Sequence, residues 1–286
     1  MFMYNKDMDY KEYKNKIIQN MPDFNYHGMW KGSIKKHILG NPKTQIEKVD
    51  IINKYSILPN VMPIDSETLH LHTHAHHLNS SQIMCYNFFR PIIGKYDKSI
   101  KMYQNSELLS LLIERLIKKP ISTNNSHDCY CNFEYIESSK ENTNFDFYFK
   151  STNTEVFFEI KYSEQYFSRK SSSKKASEQY EKVYRPMINN AKDMLNIEAI
   201  NEYNFNNKYY QLFRNAIRAN RNRYVLFVCP KAHNFLINQF NDFSDNFLSK
   251  DGKERIMLIT WEKIIEVAKT LNIRTEYFEK RYLEFL

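Results

Sequence analysis

Residues 144–163 read NFDFYFK STNT EVFFEIKYS: two runs of aromatic and β-branched residues separated by four small polar ones. Such runs are strand-like, and on a strand successive side chains point to opposite faces. Taken as a four-residue hairpin loop, Ser151–Thr154 places Lys150 opposite Glu155. Phe149 then meets Val156, Phe147 meets Phe158 and Phe145 meets Ile160, so one face is wholly apolar. On the other face Tyr148 meets Phe157, Asp146 meets Glu159 and Asn144 meets Lys161. Opposed residues have Cβ atoms about 4.5–5.5 Å apart, a spacing at which like charges destabilise the pair. Three resolutions are open. The face is solvated, the register slips by two, or a proton or cation sits between the carboxylates. Mg²⁺, which takes one or two carboxylates together with water and substrate phosphate, suits the last case. Lys161, beside Glu159, could then hold water or stabilise charge developing on phosphorus.

Working outward, CNFEYIE (131–137) is a third strand-like run, and YVLFVCP (224–230) and RIMLITW (255–261) suit strands buried on both faces. Asn79 and Gln82 resemble a capping box opening a helix over 80–90, which Pro91 stops. A second helix runs from about Ser106 to Lys119, with Leu108, Leu109, Leu112, Ile113 and Leu116 as its apolar stripe. A long basic helix is expected over 168–195, another over 209–223, and one over 261–271. Strands first in hairpins and later alternating with helices predict an α/β domain with a mixed sheet of four to five strands flanked by helices. Residues 1–78, polar and anchored by Trp30, are expected as a mostly helical extension packed on a core formed by 79–286, the two making one structural unit.

The chain of 286 residues is 42% hydrophobic and 15% aromatic, a folding rather than a disordered composition. Lys plus Arg total 41 against 33 Asp plus Glu, a net charge of +8 that favours a polyanionic partner. Only 5 glycines argue against phosphate loops of the Walker or dinucleotide type. No apolar run approaches the roughly 20 residues of a membrane span. Four cysteines, with no signal-like segment in front, lead to the expectation of a cytoplasmic protein. His127, Cys129 and Cys131 cluster without a second ligand pair, so structural zinc is not expected.

The residues Asp146 in TNFDFYF and Glu159-Ile160-Lys161 in EVFFEIKYS resemble the PD-(D/E)XK nuclease superfamily, whose signature is an acid on one core strand and E-x-K on the next. The signature proline is absent from Thr143-Asn144-Phe145. HHLNSSQIMCYNFFRP, FEYIE and FEIKYSEQYF together are similar to a bacterial group of restriction endonuclease-like proteins within it, over about Trp30 to Trp261. The resemblance implies a restriction-endonuclease-like core, Mg²⁺-dependent phosphodiester hydrolysis with Mn²⁺ able to substitute, and DNA as substrate. It implies Asp146 and Glu159 as metal ligands, Lys161 as the catalytic lysine, and one more acid, for which Glu134 is the first candidate and Glu114 the second. A homodimer and a cognate DNA methyltransferase accompany this reading. Its alternatives are a repair or recombination nuclease that recognises DNA structure, and an inactive DNA-binding module on the same fold.

His70, His72, His74 and His76 alternate, with His77 beside them. A solvated or structural role and a part in shaping the substrate cleft are both open. Gln82, Asn87, His77 and Gln179 are candidate neighbours of the site. Arg214, Arg218 and Arg221 recur at helical spacing, and with Arg169, Lys170, Lys174 and Lys175 they are candidate phosphate contacts.

Overall fold

Seven strands form one sheet in sequential order in the computed structural model, which describes residues 9–21, 35, 37–122, 129–137, 143–168, 170 and 173–286. They are β1 (Tyr96–Asp97), β2 (Met102–Gln104), β3 (Tyr130–Ile136), β4 (Asn144–Lys150), β5 (Glu155–Ile160), β6 (Arg223–Cys229) and β7 (Ile256–Thr260). β1 to β5 are antiparallel, whereas β5, β6 and β7 run parallel. The sheet is mixed, as predicted, with two more strands than the upper expectation. β1 and β2, of two and three residues, are too short to show alternation in sequence.

The helices are α1 (Tyr10–Asn20), α2 (Gln45–Tyr55), α3 (Ser81–Phe89), α4 (Glu107–Ile117), α5 (Lys174–Gln179), α6 (Arg185–Asn190), α7 (Tyr210–Ala216), α8 (Asn234–Phe247), α9 (Lys250–Arg255), α10 (Trp261–Thr270) and α11 (Glu276–Tyr282). One sheet face packs Phe147, Phe149, Val156, Phe158 and Ile160 against α3, α4, α10 and α11. Tyr13 and Ile17 of α1 and Val49 and Ile52 of α2 belong to that same core. The opposite face packs Tyr148, Phe157, Val225 and Phe227 against α7 and α8. Because Lys, Glu and Asp are almost absent from β5 and β6 interiors, Glu159 is conspicuous: it is 4% exposed.

Local chemistry departs from expectation at several points. Ser80, not Asn79, caps α3 by accepting from the Ile83 N–H. The helix expected over 168–195 begins only after the cap Ser173, passes through a π-helical turn at Tyr180–Tyr184 and resumes before Pro186 as α6. Proline favours a first-turn position and has no N–H to continue the ladder. α7 stops at Ala216, so Arg218 and Arg221 do not share a helical face with Arg214.

The expected hairpin register holds from Lys150↔Glu155 to Phe147↔Phe158 and then ends. The pairings of Asp146 with Glu159, Phe145 with Ile160 and Asn144 with Lys161 do not form. The cause lies one strand away. Phe133 pairs with Phe147 and Tyr135 with Phe145, but Glu134 and Asp146 between them are unpaired, and Glu134 has φ of 51°. That left-handed conformation is costly for a residue with a Cβ. Both strands change face there. Phe133 and Phe147 lie in the first core, whereas Tyr135 and Phe145 pack in the second.

Candidate active site

The break in the β4–β5 ladder is what builds the site. Just past the end of β5 the Lys161 N–H donates to Val228 O of β6, so by alternation the N–H of Ile160 points towards β4. With the backbone ladder ended, Asp146 Oδ2 accepts that N–H at 2.6 Å. Asp146 is therefore fixed across the strand gap by one oxygen, and among the described residues its Oδ1 accepts nothing.

Glu159 is held more heavily. Its Oε1 accepts from Gln211 Nε2 at 2.5 Å and from Lys161 Nζ at 2.9 Å, and its Oε2 accepts from Asn215 Nδ2 at 2.8 Å. Gln211 and Asn215 are one turn apart on α7 and are 5% and 0% exposed. Gln211 Oε1 accepts the Ser168 N–H, which fixes the orientation of its amide. With two lone pairs per carboxylate oxygen, Oε1 is full and Oε2 keeps one acceptor position.

Glu134 completes the acidic group. Burial raises its carboxyl to about 7, against hydrogen bonds from Asn144 and Gln82 that favour ionisation, and the Glu159 charge adds to the rise. Burial, then Glu159 and Glu134, hold Asp146 well above the usual carboxylate range. Lys161 opposes both. Burial disfavours its ammonium, but Glu159, Glu164 and Asp146 together keep its pKa above the ordinary value. The site thus gathers three carboxyl groups around one lysine, a balance that pushes Glu134 and Asp146 towards their protonated forms.

The segment after Lys161 is fastened from many directions. Tyr13 Oη of α1 donates to Tyr162 O at 2.6 Å, Tyr10 Oη donates to Ser163 O at 2.9 Å, and Tyr162 Oη donates to Tyr282 O of α11 at 2.9 Å. Asn79 Nδ2 donates to Ser163 Oγ at 2.7 Å. Glu164 accepts from the N–H groups of Tyr162 and Ser163 and from Ser81 Oγ.

The other predicted residues divide. Gln82 reaches Glu134 and also donates to His70 O and accepts from His72 N. Asn87 does not face the acids: it accepts from Leu58 N and donates to Ser56 O and Tyr282 Oη, which makes it a core tie. Glu114 accepts the Ile121 N–H at the end of α4 and is not among the charges acting on Asp146. Gln179 accepts from Lys170, whose ammonium also lies over the Tyr210 ring. Arg214 stacks over the same ring. Arg218 is bound to Glu137 at 2.8 Å and Arg223 bridges Glu137 and Glu155, so Arg218 belongs to an internal ion network instead of a phosphate-facing row. Lys174, Lys175 and Arg221 are exposed. Arg169, Trp30 and His127 lie outside the described residues. Cys85, Cys129, Cys131 and Cys229 are buried free thiols.

Among the described residues no group of three or more His, Cys, Asp or Glu side chains is arranged to hold a metal ion. A cation with two protein carboxylates and otherwise water or phosphate ligands remains chemically matched to the donors: Asp146 Oδ1 and one position on Glu159 Oε2 are open. Asn215 Oδ1 and Asn144 Oδ1, on side chains that touch Glu159 and Glu134, are buried with no donor. Ordered water around a cation would supply those donors.

A mixed sheet with helices on both faces, an acid on one core strand and E-x-K ending the next define a restriction-endonuclease-like α/β protein. The model of the family described as Restriction Endonuclease associating with ARP matches residues 11–283, and the chain belongs to that family. No curated protein and no solved structure matches it. No helix among the described residues is long and apolar enough to cross a membrane.

Proposed function

We propose that the protein is a Mg²⁺-dependent endonuclease that hydrolyses phosphodiester bonds in DNA, of restriction type, with Mn²⁺ an acceptable substitute. The observation that carries this is the arrangement of Asp146, Glu159 and Lys161 at the break in the β4–β5 ladder, in a member of a restriction endonuclease family. Asp146 and Glu159 would hold the ion, and Glu134 would act on the same group of charges. Bound there, Mg²⁺ supplies activation of water and screening of phosphate charge. Lys161 presents a fixed ammonium to the negative charge that builds on the phosphate oxygens. Gln211 and Asn215 hold the Glu159 carboxylate in one orientation.

Lys174 and Lys175 serve as phosphate contacts in this reading, and Lys170 lies beside them. A cognate DNA methyltransferase and a second copy of the chain are the partners of a restriction role, and the family's described association with ARP adds another. The buried free thiols fit a reducing compartment.

The test is incubation of the purified protein with plasmid, linear and branched DNA in Mg²⁺ or EDTA. Discrete fragments in Mg²⁺ and none in EDTA are expected. Cutting only at ends or branches would turn the reading towards a repair nuclease. Binding without cleavage in any divalent metal would make the chain an inactive module. Lys161→Ala and Asp146→Asn should each lower cleavage by at least about 10²-fold with the fold retained; wild-type cutting by either would remove these residues from the site.

A further inference from the structure

A cavity of about 280 Å³ opens against the segment that follows Lys161, lined by His74, His77, Asn79, Ser81, Ser163 and Glu164 among others. It is joined to the catalytic segment through Glu164, one of the charges that keep Lys161 protonated, and through Ser163, which Asn79 grips. Its size falls just below the ~300–1,000 Å³ of sites for drug-sized ligands. It therefore suits a single ring system, not a whole nucleotide.

Its chemistry is not that of a phosphate site. No Lys or Arg lines it among the described residues. Burial opposes ionisation of Glu164, but Lys161 and the N–H groups of Tyr162 and Ser163 hold its carboxyl below the usual value, so the wall carries a negative charge. Burial, then His76 and His74, lower His77 to about 4, leaving a neutral ring at neutral pH. The rings of His74 and His77 lie 5.0 Å apart. Asn79 gives its amide nitrogen to Ser163, and its Oδ1 is buried with no donor. The cavity therefore offers flat rings and hydroxyls without cations, with an unmet acceptor buried in its wall.

We propose that this cavity receives one nucleobase of the substrate strand, next to the phosphate that is cut, and that the Asn79 side chain turns to bring its buried Oδ1 to the exocyclic amino group of that base. Proteins that take up unstacked bases do so by stacking on aromatic or imidazole rings and hydrogen bonding to base edges. An acceptor at this position favours adenine, cytosine or guanine, which carry an exocyclic amine, over thymine, which has none. The placement next to the cut phosphate rests on the nuclease reading above, whereas binding of a base by the cavity does not.

The experiment uses the full chain and nucleosides without phosphate, so it is independent of cleavage. Imidazole resonances of His74 and His77 are followed by NMR during titration with deoxyadenosine, deoxyguanosine, deoxycytidine and thymidine, and separately with inorganic phosphate and with Zn²⁺. At least one amine-bearing nucleoside should shift both histidines saturably, at least fivefold more tightly than thymidine, and Asn79→Ala should remove that preference. The thymidine comparison in the unaltered protein stands even where Asn79→Ala fails to fold. Equal binding of thymidine, saturable shifts from phosphate, tight Zn²⁺ binding, or no response to any nucleoside would each overturn the proposal. Loss of cleavage in the plasmid assay with nucleoside binding intact would instead count against the nuclease reading alone.

Discussion

Glu159 carries three donors on two oxygens. Removing one of them frees the carboxylate to turn and leaves one of its oxygens short of a donor. On the proposed role of Glu159 as a metal ligand, Gln211→Ala and Asn215→Ala should each weaken cleavage by about 10–100-fold, the usual cost of losing a residue that orients such a ligand. Titrating cleavage against Mg²⁺ checks this, with the half-saturating concentration rising; an unchanged midpoint would mean that the amides serve packing only. The histidines give a second residue-scale outcome. Burial, then neighbouring imidazoles, hold folded His77 near 4, and burial also lowers His233, which is 1% exposed. An unfolded histidine titrates near 6.5. Between those values the unfolded chain binds more protons, so stability rises with pH. Their contribution is whole above about pH 6.5 and is lost as pH falls from there towards 4. Glu134 and Asp146, raised by burial, act in the opposite direction over the same range, so the histidine part is read as a difference: in thermal unfolding across pH 4.5–7.5, His77→Gln should lose less stability than the unaltered chain as pH falls.

At the scale of elements, the hairpin was legible because its loop, alternation and length all agree. Its end was not, because the break is caused by Glu134 on a different strand, and no local pattern in FEYIE announces a left-handed residue. The same limit hid Glu164. Gln211 and Asn215 left a trace: two polar residues one turn apart among Leu212, Phe213 and Ala216 in YQLFRNA, a pattern that marks a buried polar face. The arginine row failed for a local reason, since α7 ends before Arg218. Arg218→Ala should therefore destabilise the fold by about 1–3 kcal/mol, from a buried charge network left short of a donor, without changing the salt slope of DNA binding. Lys174→Ala with Lys175→Ala should do the reverse, lowering that slope by about 0.9 for each phosphate left without its lysine. Phe147, stacked on Phe89 at 4.0 Å and fully buried, should cost about 3–5 kcal/mol as Phe147→Ala, read by urea unfolding.

At the scale of the molecule, the helices of residues 10–55 share a core with β5 and α10, although the sequence reads there as polar extension. Sparse apolar residues such as Tyr13 and Ile17 do not reveal their partners until the sheet exists. A chain lacking residues 1–21 should lose the ties to Tyr162 and Ser163 and cleave DNA more weakly even where it stays folded, as cleavage and circular dichroism measured side by side would show.

Tyr162 is gripped by Tyr13 on α1, made before it, and holds in turn the carbonyl of Tyr282 on α11, made after it. One tie on the segment that carries Lys161 thus forms only after Tyr282 has been made. A nascent chain with its sheet already formed still lacks that anchor, and holds the segment around Lys161 less firmly than the finished fold does.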